Sequence, residues 1–173
     1  LNNNTAIDRL YVVFDSSNNL ISQLIKAVKY KFVFNLFSHL EGKIYGYLQK
    51  IGTWHDDYVL VPIPLHRRRF KWRGFNQSEM ICQLVQKKFG NEINSKILFR
   101  KVNNKPQVKF NAERRRNNIK GIFWLGSYDK SMLNKKIILV DDIYTTGATL
   151  QEAAQVLKKN GFKNIAGLVL LAG

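Results

Sequence analysis

Cysteine is nearly missing from this chain of 173 residues, where Cys82 is the single thiol. That excludes an internal disulfide framework and any cysteine zinc cluster. Acidic residues are scarce as well: 12 Asp and Glu stand against 28 Lys and Arg, leaving a net charge of +16. No apolar run approaches the roughly 20 residues of a membrane-spanning helix. Nothing near the start resembles a signal peptide. No membrane insertion is therefore expected, and the expected location is cytoplasmic. The chain begins with Leu1 rather than Met, as expected if upstream material has been removed. What is present is enough for a core, with 45% hydrophobic and 12% aromatic residues in a length suited to one domain.

The charge is regional. Between residues 66 and 120, sixteen Lys and Arg face only Glu79, Glu92 and Glu113, so +13 of the +16 sits in 55 residues. Two arginine triplets dominate it, Arg67, Arg68, Arg69 and Arg114, Arg115, Arg116. A solvated face would explain a basic run of any kind. Arginine in both triplets favours anion recognition instead, because the guanidinium fork matches phosphate oxygens bidentately.

Strand and helix signals alternate along the chain. Residues 10–14 read as a short strand, and Leu20, Leu24, Ile25 and Val28 recur at helical spacing. A second helix is expected over about 35–50, and a buried strand over 58–63 that stops at Pro62 and Pro64. Asn76 followed by Glu79 predicts a capping box opening a helix that ends at Gly90. Residues 97–100 and 122–125 are weaker strand signals, and the polar, arginine-rich stretch 101–121 between them reads as a long loop. The last third is clearest: an apolar run at 137–140, a helical stripe of Leu150, Ala153, Ala154 and Leu157, a stop at Asn160-Gly161, and a buried run over 165–171. This βαβ unit predicts an α/β fold with a mostly parallel central sheet flanked by helices.

The chemistry is carried by Leu139-Val-Asp-Asp-Ile-Tyr-Thr-Thr-Gly-Ala-Thr-Leu150, at the carboxyl end of that central strand. Open α/β sheets bind ligands there. Thr145, Thr146, Gly147, Ala148 and Thr149 lie where a turn enters a helix, so free amides and the helix dipole can hold a phosphate. Asp141 and Asp142 are acceptors that can hold sugar hydroxyls or reach a hydrated Mg²⁺. Together they describe a site for a ribose 5-phosphate. A helix cap alone would account for a bare Asp-Asp, but not for two acids ahead of this five-residue turn. Receiver domains also place paired acids after an apolar strand, yet near their start, and only 31 residues follow Asp142. A Walker loop is excluded because no Gly-Lys-Ser/Thr closes the turn.

Val140-Asp-Asp-Ile-Tyr-Thr-Thr-Gly-Ala-Thr149 resembles the 5-phosphoribosyl-1-pyrophosphate (PRPP) motif of type I phosphoribosyltransferases. Val61-Pro-Ile-Pro-Leu-His-Arg67, Arg73-Gly-Phe-Asn-Gln-Ser-Glu79 and Ala112-Glu-Arg-Arg-Arg-Asn-Asn-Ile-Lys-Gly-Ile-Phe123 are similar to the ComF/GntX branch, the competence-protein F-like phosphoribosyltransferases. The likeness runs from about Tyr11 to the end. It implies a single phosphoribosyltransferase domain over 1–173, with an N-terminal helical and strand segment (1–55) and a PRPP-binding core (56–173). Many members of that branch carry a four-cysteine zinc finger ahead of the domain; its cysteines are missing here, and no zinc site is expected.

The resemblance also implies a division of labour. Asp141 and Asp142 would be the catalytic acids on the ribose and, directly or through water, the Mg²⁺ ligands. Residues 145–149 would hold the 5-phosphate. The loop 64–69, with Leu65, His66, Arg67, Arg68 and Arg69, matches the pyrophosphate loop, and Arg73 is a further pyrophosphate candidate. The stretch 101–121, with Gln107 and Arg114, Arg115, Arg116, stands where such enzymes carry a flexible hood. The expected activity is Mg²⁺-dependent phosphoribosyl transfer from PRPP to an acceptor the sequence does not name, associated with natural competence and DNA uptake. Two other readings stay open: a single-stranded DNA-binding accessory of the competence DNA-uptake machinery, using the basic segment 66–120, and a PRPP sensor without turnover. His66 is expected to position neighbours more than to transfer protons, Cys82 to be a small buried hydrophobe, and at least two of Trp54, Trp72 and Trp124 to pack in the core or an interface. Trp72, among arginines, is the tryptophan to test for stacking.

Overall fold

The computed structural model describes residues 5–15, 19–31, 38–52, 57–101 and 121–173. The chain opens with strand β1 (Arg9–Asp15) and helix α1 (Asn19–Lys31), then a 3-10 turn (Ser38–Leu40) leading into α2 (Glu41–Ile51). Strand β2 (Tyr58–Pro62) follows, then two helices in quick succession, α3 (Arg67–Arg73) and α4 (Gln77–Phe89). Three short strands come next, β3 (Glu92–Ile93), β4 (Leu98–Arg100) and β5 (Phe123–Leu125). A 3-10 turn (Lys130–Asn134) leads into β6 (Lys136–Tyr144), α5 (Ala148–Lys159) and β7 (Ile165–Ala172).

Five strands form one sheet in the order β1-β7-β6-β2-β3, and every pairing in it is parallel. The expected α/β class and mostly parallel sheet are what the chain adopts. Parallel central strands are covered on both faces and so read as continuous apolar runs. That is the pattern of β6 through Val140 and of β7, whose first seven residues are all buried. Two apolar cores result. One joins Leu60, Ile138, Val140 and Leu168 to Ile44 and Leu48 of α2 and Ile81 and Val85 of α4. The other joins Val59, Val61, Leu139 and Val169 to Leu150, Ala153 and Leu157 of α5 and to Leu98 and Phe123. β4 and β5 stand apart as an antiparallel pair whose inner residues belong to the second core.

The helix terminators act as the sequence indicates. Asn76 caps α4 by accepting from the Ser78 N–H at 3.1 Å, and Gly90 ends that helix. The second half of the capping box does not form: Glu79 accepts from Ser95 Oγ at 3.0 Å instead. The expected helix over 35–50 is shorter, because α2 begins at Glu41, while residues 32–37 lie outside those described. The strand expected to end at Val140 runs on to Tyr144, paired with β7 as far as Ala172. Asp141 and Asp142 are therefore strand residues, not turn residues. Among the described residues no helix is long and apolar enough to cross a membrane.

Candidate active site at the sheet switch point

From β2 the chain crosses to β3 on one side, while β6 lies on the other side of β2 and leads outward to β7. The order of strands reverses between β2 and β6, and a crevice opens at the carboxyl ends of such a pair. The acids, the Thr-rich turn and the residues of the proposed pyrophosphate loop within the described residues are attached to those two strand ends or to the helices that follow them.

The β2 end is held by a short relay. The Ile63 N–H donates to the Val140 carbonyl at 2.9 Å, which extends the β2–β6 ladder one residue past the strand. Asn76 Nδ2 donates to the Ile63 carbonyl at 3.0 Å, tying the chain that leaves β2 to the start of α4. Ser78, buried in the first turn of α4, donates from Oγ to Asp141 Oδ1 at 3.2 Å. The same carboxylate oxygen accepts the Asp142 N–H at 2.9 Å. Successive strand side chains leave opposite faces, so the two acids meet different surroundings. Asp141 is half-buried at the crevice, and Asp142 is 6% exposed.

The stretch expected to be a pyrophosphate loop is a loop only through His66. Arg67, Arg68 and Arg69 open helix α3, which His66 caps by accepting the Arg68 N–H on Nδ1 at 3.2 Å. The cause is local: a capping side chain, seven residues with no helix breaker, and Gly74 in the left-handed conformation to stop them. This separates the triplet. Arg67 and Arg68 are exposed, whereas Arg69 is half-buried. Arg73 donates from Nη1 to Gln77 Oε1 at 2.9 Å, while Arg73 Nε and Gln77 Nε2 are buried without a hydrogen-bond partner. Buried donors left open in this way are costly unless something accepts from them. Leu65 is half-buried.

Arg100, which the sequence marks only as one cation of the basic segment at the end of a weak strand, is missing from the candidate residues read from sequence. Its guanidinium is lowered to about 10, first by burial and then by the charge of Arg69, with Asp141 acting in the opposite sense. Two guanidinium groups and a carboxylate thus share one neighbourhood. The signal for this is tertiary, since β4 must pair with β5 before Arg100 has a place.

At the β6 end only three residues, 145–147, separate strand from helix. Gly147 has φ +73° and starts α5 with no side-chain cap. The positive φ at 147 favours glycine, and a Cβ there would also overlap the Tyr144 ring unless that side chain moved. The Ala148 N–H reaches Thr146 Oγ1 only at 3.4 Å, and the first helical bond runs from the Gln151 N–H to the Gly147 carbonyl at 2.9 Å. Thr145 is exposed, and Thr146, Ala148 and Thr149 are half-buried. Such a turn can seat an anion on backbone amides.

The remaining candidates are placed or lie outside. Gln107, Arg114, Arg115 and Arg116 fall in 102–120, and Trp54 in 53–56, outside the described residues. The flanks of 102–120 are tied down. Lys101 N–H donates to the Ile122 carbonyl at 3.0 Å, and Gly121 N–H donates to Glu152 of α5. Cys82 is fully buried, and burial pushes its thiol well up, away from reactive thiolate chemistry. Trp72 and Trp124 are both exposed, not packed in the core.

Comparison with known proteins agrees with this geometry. A phosphoribosyl transferase domain model matches residues 95–173, which includes β6, the turn and α5. The chain is 34% identical over 102 residues to DNA utilization protein YhgH of Escherichia coli K12, covering 59% of this chain and 44% of that protein. It is 31% identical over 107 residues to competence protein F of Haemophilus influenzae, covering 62% and 47%. To competence protein ComFC of Bacillus subtilis it is 38% identical over 104 residues, covering 60% and 40%. The matches thus span less than half the length of these relatives. The parallel sheet, its switch point and the Val140-to-Thr149 turn define the type I phosphoribosyltransferase fold. Within that class the chain is similar to the ComF-like proteins, the relatives named for competence among them.

Proposed function

We propose that the chain binds PRPP with Mg²⁺ in the β2–β6 crevice and transfers the phosphoribosyl group to a nucleophilic acceptor. The observation that carries this is the placement of an uncapped Thr-Thr-Gly-Ala-Thr turn and an acidic pair on one strand end, beside two half-buried arginines. In this reading the amides and hydroxyls of residues 145–149 hold the 5-phosphate. Asp141, oriented by Ser78, and Asp142 accept hydrogen bonds from the ribose hydroxyls. Arg69, Arg73 and Arg100 stabilise the charge that grows on pyrophosphate as its bond to the anomeric carbon breaks. The open Arg73 Nε suits an arriving phosphate oxygen.

Mg²⁺ fits this donor set as a cation shared with the substrate. It ordinarily uses one or two carboxylates plus phosphate oxygens, and among the described residues no cluster of three or more His, Cys, Asp or Glu side chains exists to build a resident site. When bound it supplies charge neutralisation on the leaving group.

Calorimetric titration of PRPP with and without Mg²⁺ tests the reading, and a pyrophosphate-release screen over nitrogen nucleophiles follows. Binding that requires Mg²⁺ is expected, as is a loss of about tenfold or more in Asp141→Asn with Asp142→Asn. Unchanged PRPP affinity in that variant removes the assignment. Binding without release for every acceptor leaves a PRPP sensor in place of an enzyme.

A second reading draws on the relatives named for competence and DNA utilization: association with DNA uptake through contact with single-stranded DNA. The basic segment favours it, because pyrophosphate occupies a few cations and leaves most of the sixteen in 66–120 unused. Contact with backbone phosphates requires affinity to fall as salt rises.

A further inference from the structure

Large aromatic side chains are informative when a fold leaves them uncovered. Among the described residues five large hydrophobic side chains are exposed, and four of them are aromatic: Phe70 (46%), Trp72 (61%), Phe99 (45%) and Trp124 (49%). All four lie within or just beyond the basic segment, and two face each other. Phe99 is directly opposite Trp124 in the β4–β5 pair.

Strand alternation gives that hairpin two different faces. Leu98 and Phe123 point into the core, and on their side Arg100 lies 5.8 Å from the centroid of the Phe123 ring and feels Arg69 and Asp141 of the crevice. The other side carries Phe99 and Trp124, with Lys101 Nζ 4.4 Å from the centroid of the Trp124 ring. The outer face therefore offers flat π-surface and an ammonium group at the same spot. The centre of a protein–protein interface is depleted of charge. A ring pair with a lysine set on it, in a chain of +16, suits a polyanion with accessible bases. A duplex hides its bases, whereas a single strand stacks them on any aromatic face.

We propose that the outer face of the β4–β5 hairpin is a stacking platform for single-stranded nucleic acid, with bases on Phe99 and Trp124 and backbone phosphate on Lys101. This rests on the second reading above and adds to it a location separate from the crevice. Because Arg100 and the two rings leave opposite faces of one strand pair, pyrophosphate and a single strand bind together instead of competing.

Fluorescence anisotropy with a labelled oligo-dT, repeated with saturating pyrophosphate, tests this on the whole chain. Phe99→Ala and Trp124→Ala are each expected to weaken oligo-dT by about 5- to 100-fold, with pyrophosphate affinity unchanged. Phe99→Tyr and Trp124→Phe are expected to stay within about threefold of the parent, since any aromatic ring presents a stacking face. Quenching of Trp124 emission by oligo-dT, in a Trp54→Phe, Trp72→Phe background, reports stacking with the platform intact. If the unmodified chain binds no oligo-dT, the second reading falls and takes the platform with it. Oligo-dT binding that survives both alanine variants overturns the platform alone, as do a lack of quenching and displacement of oligo-dT by pyrophosphate. Sedimentation that shifts to a smaller species in the alanine variants, with oligo-dT binding intact, would identify the face as a contact between copies of the chain.

Discussion

The two strand ends that frame the crevice are built on opposite principles. At the β6 end, three residues join a nine-residue strand to a twelve-residue helix, and the geometry follows from local chemistry: an apolar run, a glycine at positive φ, and a helix with an apolar stripe. At the β2 end the chain passes through α3, a helix of seven residues with four arginines and none of its residues buried. Caps at both ends hold α3, and its last residue, Arg73, is tied to the buried Gln77 of α4. One end presents backbone donors fixed by packing. The other presents side-chain cations whose usefulness depends on how deeply each happens to be set.

Gly147→Val should break the β6 end most severely. A β-branched residue is strained at φ +73°, and its Cβ overlaps the Tyr144 ring. Losing two amide contacts to a phosphate at about 1.5–3 kcal/mol each weakens PRPP more than a hundredfold, and stability falls by roughly 1–3 kcal/mol. Calorimetry and thermal melting read the two effects separately. A variant that keeps PRPP affinity shows that the turn does not hold the phosphate.

At the β2 end the expected losses are smaller and graded. Arg69→Gln, Arg73→Gln and Arg100→Gln should each weaken pyrophosphate about tenfold, the order of one charge-assisted hydrogen bond. Arg67→Gln and Arg68→Gln, exposed on the first turn of α3, should change it by no more than about twofold, screened like other surface charges. Equal losses at all five positions would mean that the basic segment acts as a diffuse field and that helix α3 sorts nothing.

The same contrast decides what the sequence could disclose. Strand β6, helix α5 and the caps Asn76 and Gly90 are legible because each depends on residues a few positions apart. Helix α3 has equally local caps in His66 and Gly74, yet it is not legible, because Phe70 and Trp72 face solvent and no apolar periodicity marks its body. The two-residue strand β3 exists only through its pairing with Val59 and Leu60. Extension of β6 through its two acids depends on pairing with β7. The acids and the turn are therefore legible in the sequence as a candidate site, while Arg100 and Ser78 join that candidate only through tertiary contacts.

Arg100 offers the finest separation of binding from folding. Its charge sits largely buried beside that of Arg69, so the protonated state opposes folding even though Asp141 offsets part of it. Replacing it with an apolar side chain of similar length removes that opposition, as buried ionic groups exchanged for hydrophobic ones often do. Arg100→Met is expected to raise stability at pH 7 by about 1 kcal/mol while weakening pyrophosphate about tenfold. The sign of the pH dependence follows from a folded value of about 10 lying below the ordinary guanidinium value. For a cation depressed in this way, the unfolded chain binds more protons between those values, so the parent's stability rises with pH there. The advantage of Arg100→Met is thus full below pH 10 and shrinks as pH climbs above it. Urea denaturation of both proteins at pH 7 and pH 10.5 measures the difference. A variant less stable than the parent at pH 7 would show that Asp141 and the Phe123 ring hold Arg100 favourably, making it a structural tie in place of a charge kept for an anion.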